Sequence, residues 1–357
     1  FGTVSFAYAG FSGGATMKKL LAKLALALVP VLRGGALFVA FEPNNYFGLR
    51  PGTAGNAPLA RLRAFAQDPQ PNIILGDSRM AHFDMTLVNE VSGVRWANVA
   101  YGGASLEESI DEFYYLYQTY PGLKKVVLGV SFYTLNANYR TANRMATIET
   151  QLKNPAAYMF NLEYNINTLT ALSDRLANRP NVQETAEHTA AEYTENGVAL
   201  PFRRGLIDYA ATLYANCAAS GTLPAASYDA TGSLVNAAAL ADAMQSVTPA
   251  SSKFTINETA LQSLLQMAAF CRDNGIELTL VLPPMQQSVR ALVCAPLGID
   301  DAMQPALQAL AGSGAAVLDY EWANDPAYPD TAYYDGFHLD TVHGLPLWTR
   351  TLFTEVG

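Results

Sequence analysis

The sequence predicts an α/β fold: a three-layer α/β/α sandwich with a mostly parallel central sheet. Three observations predict it. Short apolar runs recur at Asn72 to Leu75, Val94 to Val99, Lys124 to Val130, Glu277 to Leu282 and Ala315 to Tyr320. They read as apolar throughout rather than alternating, as strands do when a parallel sheet is covered on both faces. Segments of helical periodicity separate them. Half of the 357 residues are apolar, enough for a sizeable core.

The elements follow in chain order. Residues 1–16 lack an initiator Met and resemble nothing that follows, so they are set apart as upstream sequence. Met17 opens a basic stretch with Lys18, Lys19 and Lys23, and an apolar run extends from Leu24 to Phe41, broken by Pro30 and Arg33. Residues 17–41 are expected to be an uncleaved signal anchor or a cleaved signal peptide, a buried core helix being the third reading. The run matches the ~18–20 residues that cross a bilayer, although Arg33 inside it costs roughly 2.5–3.5 kcal/mol. Either export reading places the rest of the chain outside the cytoplasm.

Residues 42–71 contain five prolines and read as a linker or irregular lead-in. The domain proper is expected over 72–357. Its first strand, Asn72 to Leu75, runs into the turn Gly76-Asp77-Ser78, and 79–92 reads as helix. The second strand ends in Ala100-Tyr101-Gly102-Gly103-Ala104-Ser105. Ser105 suits the N-cap of a helix over Leu106 to Tyr117, with Glu107 and Glu108 favourable in its first turn. Beyond the third strand, 140–255 is rich in Ala, Asn, Thr and Tyr and reads as a mostly helical insertion. The α/β rhythm resumes with a helix from Glu258 to Asn274 stopped by Gly275, then the fourth strand, a helix over Gln304 to Leu310 and the last strand.

Composition excludes some functions. The net charge is −9, with 22 Lys+Arg against 31 Asp+Glu, which argues against a nucleic-acid partner needing a cationic face. The 15% of charged residues is low for a cytosolic protein. Cys217, Cys271 and Cys294 are widely separated, with no CxxC or Cys/His cluster, so no metal site and no cofactor is expected. Pairing of Cys271 with Cys294 is left open.

Reactive residue types gather at two predicted strand ends, where open parallel sheets bind ligands. One is Gly76-Asp77-Ser78-Arg79; the other is Tyr334-Asp335-Gly336-Phe337-His338-Leu339-Asp340. A serine hydroxyl needs a base to take its proton, and a histidine base needs a carboxylate to hold its tautomer. Asp335, three residues before His338, can reach one imidazole nitrogen and leave the other free. Ser78, Asp335 and His338 are therefore the candidate catalytic residues. The Ser78 N–H and an N–H from Gly103 are candidate oxyanion donors. Arg79 reads as a contact for an anionic polymer or as a salt-bridge partner. His82 reads as a substrate contact or as a packing or solvated residue. Asp340 and His343 read as structural, Asp319 as a strand-end cap and His188 as solvated. The 19 tyrosines read mostly as packing.

These blocks resemble the SGNH (GDSL-type) hydrolase superfamily. ILGDSRM is similar to its first block, Asn98-Val99-Ala100-Tyr101-Gly102-Gly103 to its second and Asp335-Gly336-Phe337-His338 to its last. The apolar N-terminal run, FEPNNYFG, KKVVLGVSFY and YYDGFHLD look closer to a membrane-anchored branch. That branch contains proteins similar to the D-alanyl transfer protein of teichoic-acid modification and the alginate acetylation proteins. The resemblance implies a flavodoxin-like sandwich, Ser78 as nucleophile, Gly103 as oxyanion glycine, and Asp335 and His338 as acid and base. It also implies an acylated glycan or envelope polymer as substrate, and a membrane-bound O-acyltransferase as partner. The family's third block supplies an oxyanion Asn from GxND; here the strand reads Gly129-Val130-Ser131-Phe132, which leaves Ser131 as the donor at that point, with Asn136 and Asn138 following. Two functions are expected from this: a serine esterase or O-acyltransferase of the cell envelope, or a non-catalytic tethered scaffold.

Overall fold

A computed structural model describes residues 13–42, 44–49, 57–139, 141–177, 208–230 and 233–357. The chain divides into two units. One is Phe1–Thr53 with Lys153–Asn181; the other is Ala54–Leu152 with Val182–Gly357.

The larger unit is an α/β domain built on five parallel strands in the order β2-β1-β3-β4-β5. These are β1 (Asn72–Leu75), β2 (Trp96–Asn98), β3 (Lys125–Gly129), β4 (Glu277–Leu282) and β5 (Ala316–Asp319). All four residues of β1 are buried, as a strand covered on both faces requires. The register runs Ile74↔Val127 between β1 and β3 and Leu128↔Leu280 between β3 and β4, so the apolar runs align side by side. Helix α3 (Met85–Ser92) packs against the C-terminal helix (Gly344–Glu355), and α4 (Leu106–Thr119) against the Glu258–Asp273 helix. Phe83, Trp96, Trp348 and Phe353 interlock edge-on or tilted in the core beneath β1 and β2.

Local chemistry sets the helix ends. The Ser105 hydroxyl accepts the Glu108 N–H and caps α4 as expected. Asn257 caps Glu258–Asp273, and Gly275 follows at φ +68°. The helix expected over 79–92 is shorter. Residues 78–82 form turns in which Met80 N–H reaches Asp77 O and Ala81 N–H reaches Ser78 O. Asp84 then accepts from Thr86 N–H and starts the helix at Met85. The lead-in is also partly helical. Helix α2 (Pro58–Gln67) places Pro58 at its first turn, where the missing N–H costs nothing, and buries Leu59, Leu62 and Phe65.

Where it is described, the insertion is mostly helical, with α5 (Met145–Lys153), α6 (Pro155–Met159), α7 (Leu162–Leu176), α8 (Asp208–Ala219) and α9 (Ala237–Val247); between α8 and α9 the chain is irregular, with Tyr228 and Leu234 in an antiparallel bridge. His188 lies outside the described residues. Two further helices of the domain, Gln287–Leu297 and the C-terminal one, were not anticipated, and the helix expected over 304–310 extends over Ile299–Ala311. Cys217, Cys271 and Cys294 are buried and free, so Cys271 and Cys294 do not pair.

The smaller unit contains helix α1 (Gly13–Phe41), α6 and α7. Residues Met17–Phe41 form a 25-residue apolar helix, long and apolar enough to cross a membrane, and little of it is buried. Helices α6 and α7 pack against α1.

Candidate active site

Ser78 sits in the turn that follows β1, between β2 and β3, at the point where the strand order reverses. That is where open parallel sheets present ligand sites. Gly76 makes the turn possible. Its φ is +134°, and a Cβ there would lie 2.8 Å from Met80 Cγ and 3.3 Å from the Gly129 backbone.

His338 and Asp335 lie in the loop that follows β5. Ser78 Oγ is 2.8 Å from His338 Nε2, and His338 Nδ1 is 2.9 Å from both carboxylate oxygens of Asp335. This network assigns the proton on Nδ1 and leaves Nε2 to accept from the serine. Asp335 Oδ1 also accepts the N–H groups of Phe337 and His338 at 2.9 and 2.8 Å, which fixes the carboxylate within its own turn. Burial opposes ionisation of Asp335, but the imidazole and these donors outweigh it and hold the carboxyl below its usual range. Burial likewise opposes charge on His338, and Asp335 more than offsets it, so the imidazole stands above its ordinary value. The His338 side chain is 26% exposed, so solvent reaches the pair.

The Gly102-Gly103 loop after β2 borders the serine. Both glycines are exposed, and a Cβ on Gly102 would lie 4.0 Å from Ser78 Cβ. Gly103 has φ +70°. Arg144 holds this loop: its Nη2 donates to Gly103 O at 3.2 Å, and its Nε and Nη2 donate to the buried carboxylate of Glu108 at 2.9 and 3.0 Å. The guanidinium also lies 5.0 Å over the Tyr101 ring.

Two expected site residues turn inward instead. Arg79 is buried, and its guanidinium donates to Glu321 at 2.9 Å and to the Pro283 and Pro284 carbonyls at 2.6 and 2.7 Å. It ties the ends of β1, β4 and β5 together and is no surface contact for a polymer. Ser131 is fully buried, with its hydroxyl 3.5 Å from Arg79 Nη1, so its side chain faces the interior. The nearby Asn136 is also buried, its side-chain oxygen accepting from Asn138 N–H. His82 is half-buried in the turn before α3, not on a helix face shared with Ser78.

Asp340 Oδ1 accepts from Val342 and His343 N–H ahead of the C-terminal helix, and Asp319 Oδ1 accepts from Glu321 and Trp322 N–H after β5. Both have the structural roles read from sequence. Sequence reasoning missed Tyr133, whose hydroxyl donates to Asp77 at 2.6 Å beneath the Ser78 turn. It also missed Glu108, Arg144 and Glu321. Only the first-turn position of Glu108 signalled anything, and it signalled a favourable charge at the helix start.

Among the described residues no group of His, Cys, Asp and Glu is placed to hold a metal ion. A hollow of about 450 Å³, lined by residues including Lys125, Arg272 and Glu277, lies at the opposite, amino end of the strands and contains none of the three candidate catalytic residues. No protein-family model matches the chain, and no curated protein matches it significantly.

Proposed function

We propose that this chain is an extracytoplasmic serine esterase or O-acyltransferase of the SGNH type, acting on acyl groups of a cell-envelope polysaccharide or polymer through an acyl-Ser78 intermediate. One observation carries the reading: the unbroken line from Ser78 Oγ to His338 Nε2, and from His338 Nδ1 to Asp335, at 2.8 and 2.9 Å. The 2-1-3-4-5 strand order, with Ser78 after β1 and His338 after β5, supports an SGNH-like, flavodoxin-like sandwich.

The chemistry follows from the geometry. His338 takes the Ser78 proton as Oγ attacks the acyl carbonyl, and Asp335 stabilises the imidazolium. The oxyanion falls to the Ser78 and Gly103 N–H groups, with no donor from Ser131. The tetrahedral intermediate collapses to acyl-Ser78, and His338 returns the proton to the leaving oxygen. A second hydroxyl, from a polymer or from water, is then deprotonated by His338 and attacks the acyl carbonyl; the bond to Ser78 Oγ breaks, and His338 returns that proton to Oγ. Helix α1, with the basic start at Lys18 and Lys19, is read as an anchor that keeps this chemistry at the outer membrane–water boundary, beside a membrane-bound O-acyltransferase.

The test uses the full chain in detergent or nanodiscs, with a fluorophosphonate probe and p-nitrophenyl acetate, beside Ser78→Ala and His338→Ala. Labelling and acetate release lost in both variants support the reading. No reaction above the Ser78→Ala background would overturn it and favour the tethered scaffold.

A further inference from the structure

The smaller unit contains an apolar surface that the acyl chemistry does not use. Helix α7 exposes Leu162, Ile166, Leu169 and Leu176, each between 54% and 79% solvent-exposed. At 3.6 residues per turn these four fall within an arc of about 80°. Phe160, just before the helix, is 79% exposed as well. Glu163, Asn167 and Thr170 form a separate exposed polar sector. The third sector carries buried Thr168 and half-buried Tyr164, Asn165 and Leu172. The exposed Ser173 interrupts the arc between Leu169 and Leu176. A single exposed leucine is ordinary on a protein surface; four on one arc are not.

The location of the stripe decides what covers it. Helices α6 and α7 pack against α1. Contacts with α6 are made by the last turns of α1: a Cβ on Gly35 would lie 3.5 Å from Met159 Cε, and Phe38 meets the Tyr158 ring edge-on. Directly beyond α1, Tyr46 stacks on Tyr158 at 4.2 Å, and Phe47 and Tyr164 join the cluster. The buried Glu42 carboxylate accepts the Tyr158 hydroxyl at 2.6 Å and the Asn44 N–H at 2.8 Å. Thus the apolar span gives way, within one turn, to a tyrosine-rich polar cluster, the pattern of side chains at a bilayer's interfacial level.

We propose that α7 is an interfacial membrane helix, its Leu162-Ile166-Leu169-Leu176 stripe buried in the lipid boundary beside the end of α1. The occupant is the bilayer itself, because α7 packs against α1, a helix long and apolar enough to cross a membrane that itself exposes apolar side chains from Leu20 to Leu37. An amphipathic helix of this kind lies in the interface plane, with its apolar side facing the acyl chains. The inference rests on reading α1 as a membrane anchor.

Single cysteines test it, since the three native ones are buried. The full chain is placed in phosphatidylcholine–phosphatidylglycerol nanodiscs with an environment-sensitive fluorophore at Ile166→Cys, Leu169→Cys, Glu163→Cys or Thr170→Cys. A fifth label at Leu26→Cys reports on α1. Circular dichroism confirms that each variant is folded. Expected is quenching by shallow doxyl lipids at 166 and 169, at least twofold stronger than at 163 and 170, with the opposite order for aqueous iodide. Iodide access at 166 and 169 with lipid quenching at 26 would overturn the inference and leave the anchor intact. Iodide access at all three would overturn both. Protection of 166 and 169 from both quenchers would also overturn it, because a protein partner would then cover the stripe.

Discussion

The Arg79 guanidinium and the Glu321 carboxylate meet at 2.9 Å in full burial, 242 positions apart in the chain. Arg79 follows the candidate nucleophile directly, so this pair and the Pro283 and Pro284 carbonyls fasten the Ser78 turn to the ends of β4 and β5. The arrangement is dense but incomplete: Arg79 Nε and Glu321 Oε2 have no partner among the described residues. Burial pushes the Glu321 carboxyl up to about 7 against the pull of Arg79. Removing one member leaves the other charge buried alone, which costs about 3–5 kcal/mol. We expect Arg79→Met to lower unfolding stability by that amount in a urea titration and to slow serine labelling through a displaced turn. Arg79→Lys is expected to rescue little, because an ammonium does not span Glu321 and two carbonyls at once. A variant of native stability would refute the anchoring role.

The Asp335–His338 pair predicts two pH dependences. His338 works as a base only when neutral, and its value is raised, so acylation should climb with pH through a midpoint above 6.5. Asp335→Asn removes the raising charge and leaves burial, so the midpoint should fall while the maximal rate drops about 10³–10⁴-fold. For stability the signs are opposite. The raised His338 contributes fully below 6.5 and loses its contribution as pH rises through its folded value. The lowered Asp335 contributes above 3.8 and loses its contribution as pH falls through its folded value. The pair therefore stabilises most between 3.8 and 6.5. Unfolding midpoints across pH should show a hump in that window that flattens in His338→Ala.

The grouping of Ser78, Asp335 and His338 was legible because its signals are local. A glycine turn directly after an apolar run, and an Asp three residues before a His, survive any arrangement of the rest. The strands were legible within one or two residues for the same reason, since an unbroken apolar run has few other places to go. What was not legible depends on distant partners. Arg79 turns inward because Glu321, Pro283 and Pro284, 204–242 positions later, are there to meet it, and Ser131 faces inward beside Arg79, 52 positions before it. The 79–92 segment has helical periodicity throughout, but Asp84 captures Thr86 N–H and moves the start to Met85. The proline-rich lead-in hid α2 because its prolines flank the helix or open it. That residues 153–181 belong with α1 rests on Tyr158 stacking on Tyr46, which no periodicity encodes.

Two glycines of the site should respond differently to alanine. At Gly336 a Cβ would lie 2.5 Å from Val289 Cγ2 and 2.7 Å from its Cβ, against a side chain fixed in a helix. Either the Asp335–His338 turn or the helix must move, and the Gly336 carbonyl bond to Gln286 N–H goes with it. At Gly103 a Cβ would meet nothing within 4 Å, and only the φ of +70° objects, by roughly 1–2 kcal/mol. Gly336→Ala should therefore lose labelling by about 10²-fold or more, since a 1 Å misplacement is worth that much. Gly103→Ala should lose about tenfold, and Gly103→Asn less, because Asn tolerates the left-handed region. Equal losses at the two positions would show that close packing is not what sets the Asp335–His338 turn.

Arg144 supports the last prediction, because it reaches the Gly102-Gly103 loop, the candidate oxyanion loop, without touching Ser78 or His338. Its bonds to Glu108 and Gly103 join the start of α4 to the loop, and its own N–H donates to Glu108 at 2.9 Å. Arg144→Ala frees the Gly103 carbonyl and strips a buried carboxylate of two charged donors, a cost of roughly 1–3 kcal/mol. The Gly103 N–H then samples orientations that miss the oxyanion, so acylation should slow by about 10–10²-fold, within the range for losing one such donor. The midpoint of the pH–rate profile should not move, since neither Asp335 nor His338 has lost a neighbour. Combining Arg144→Gln with Glu108→Gln should recover thermal stability by removing the buried charge, yet leave the rate low. A loss of rate that followed stability in every variant, or a shifted midpoint, would show that Arg144 supports the fold or His338 rather than the Gly102-Gly103 loop.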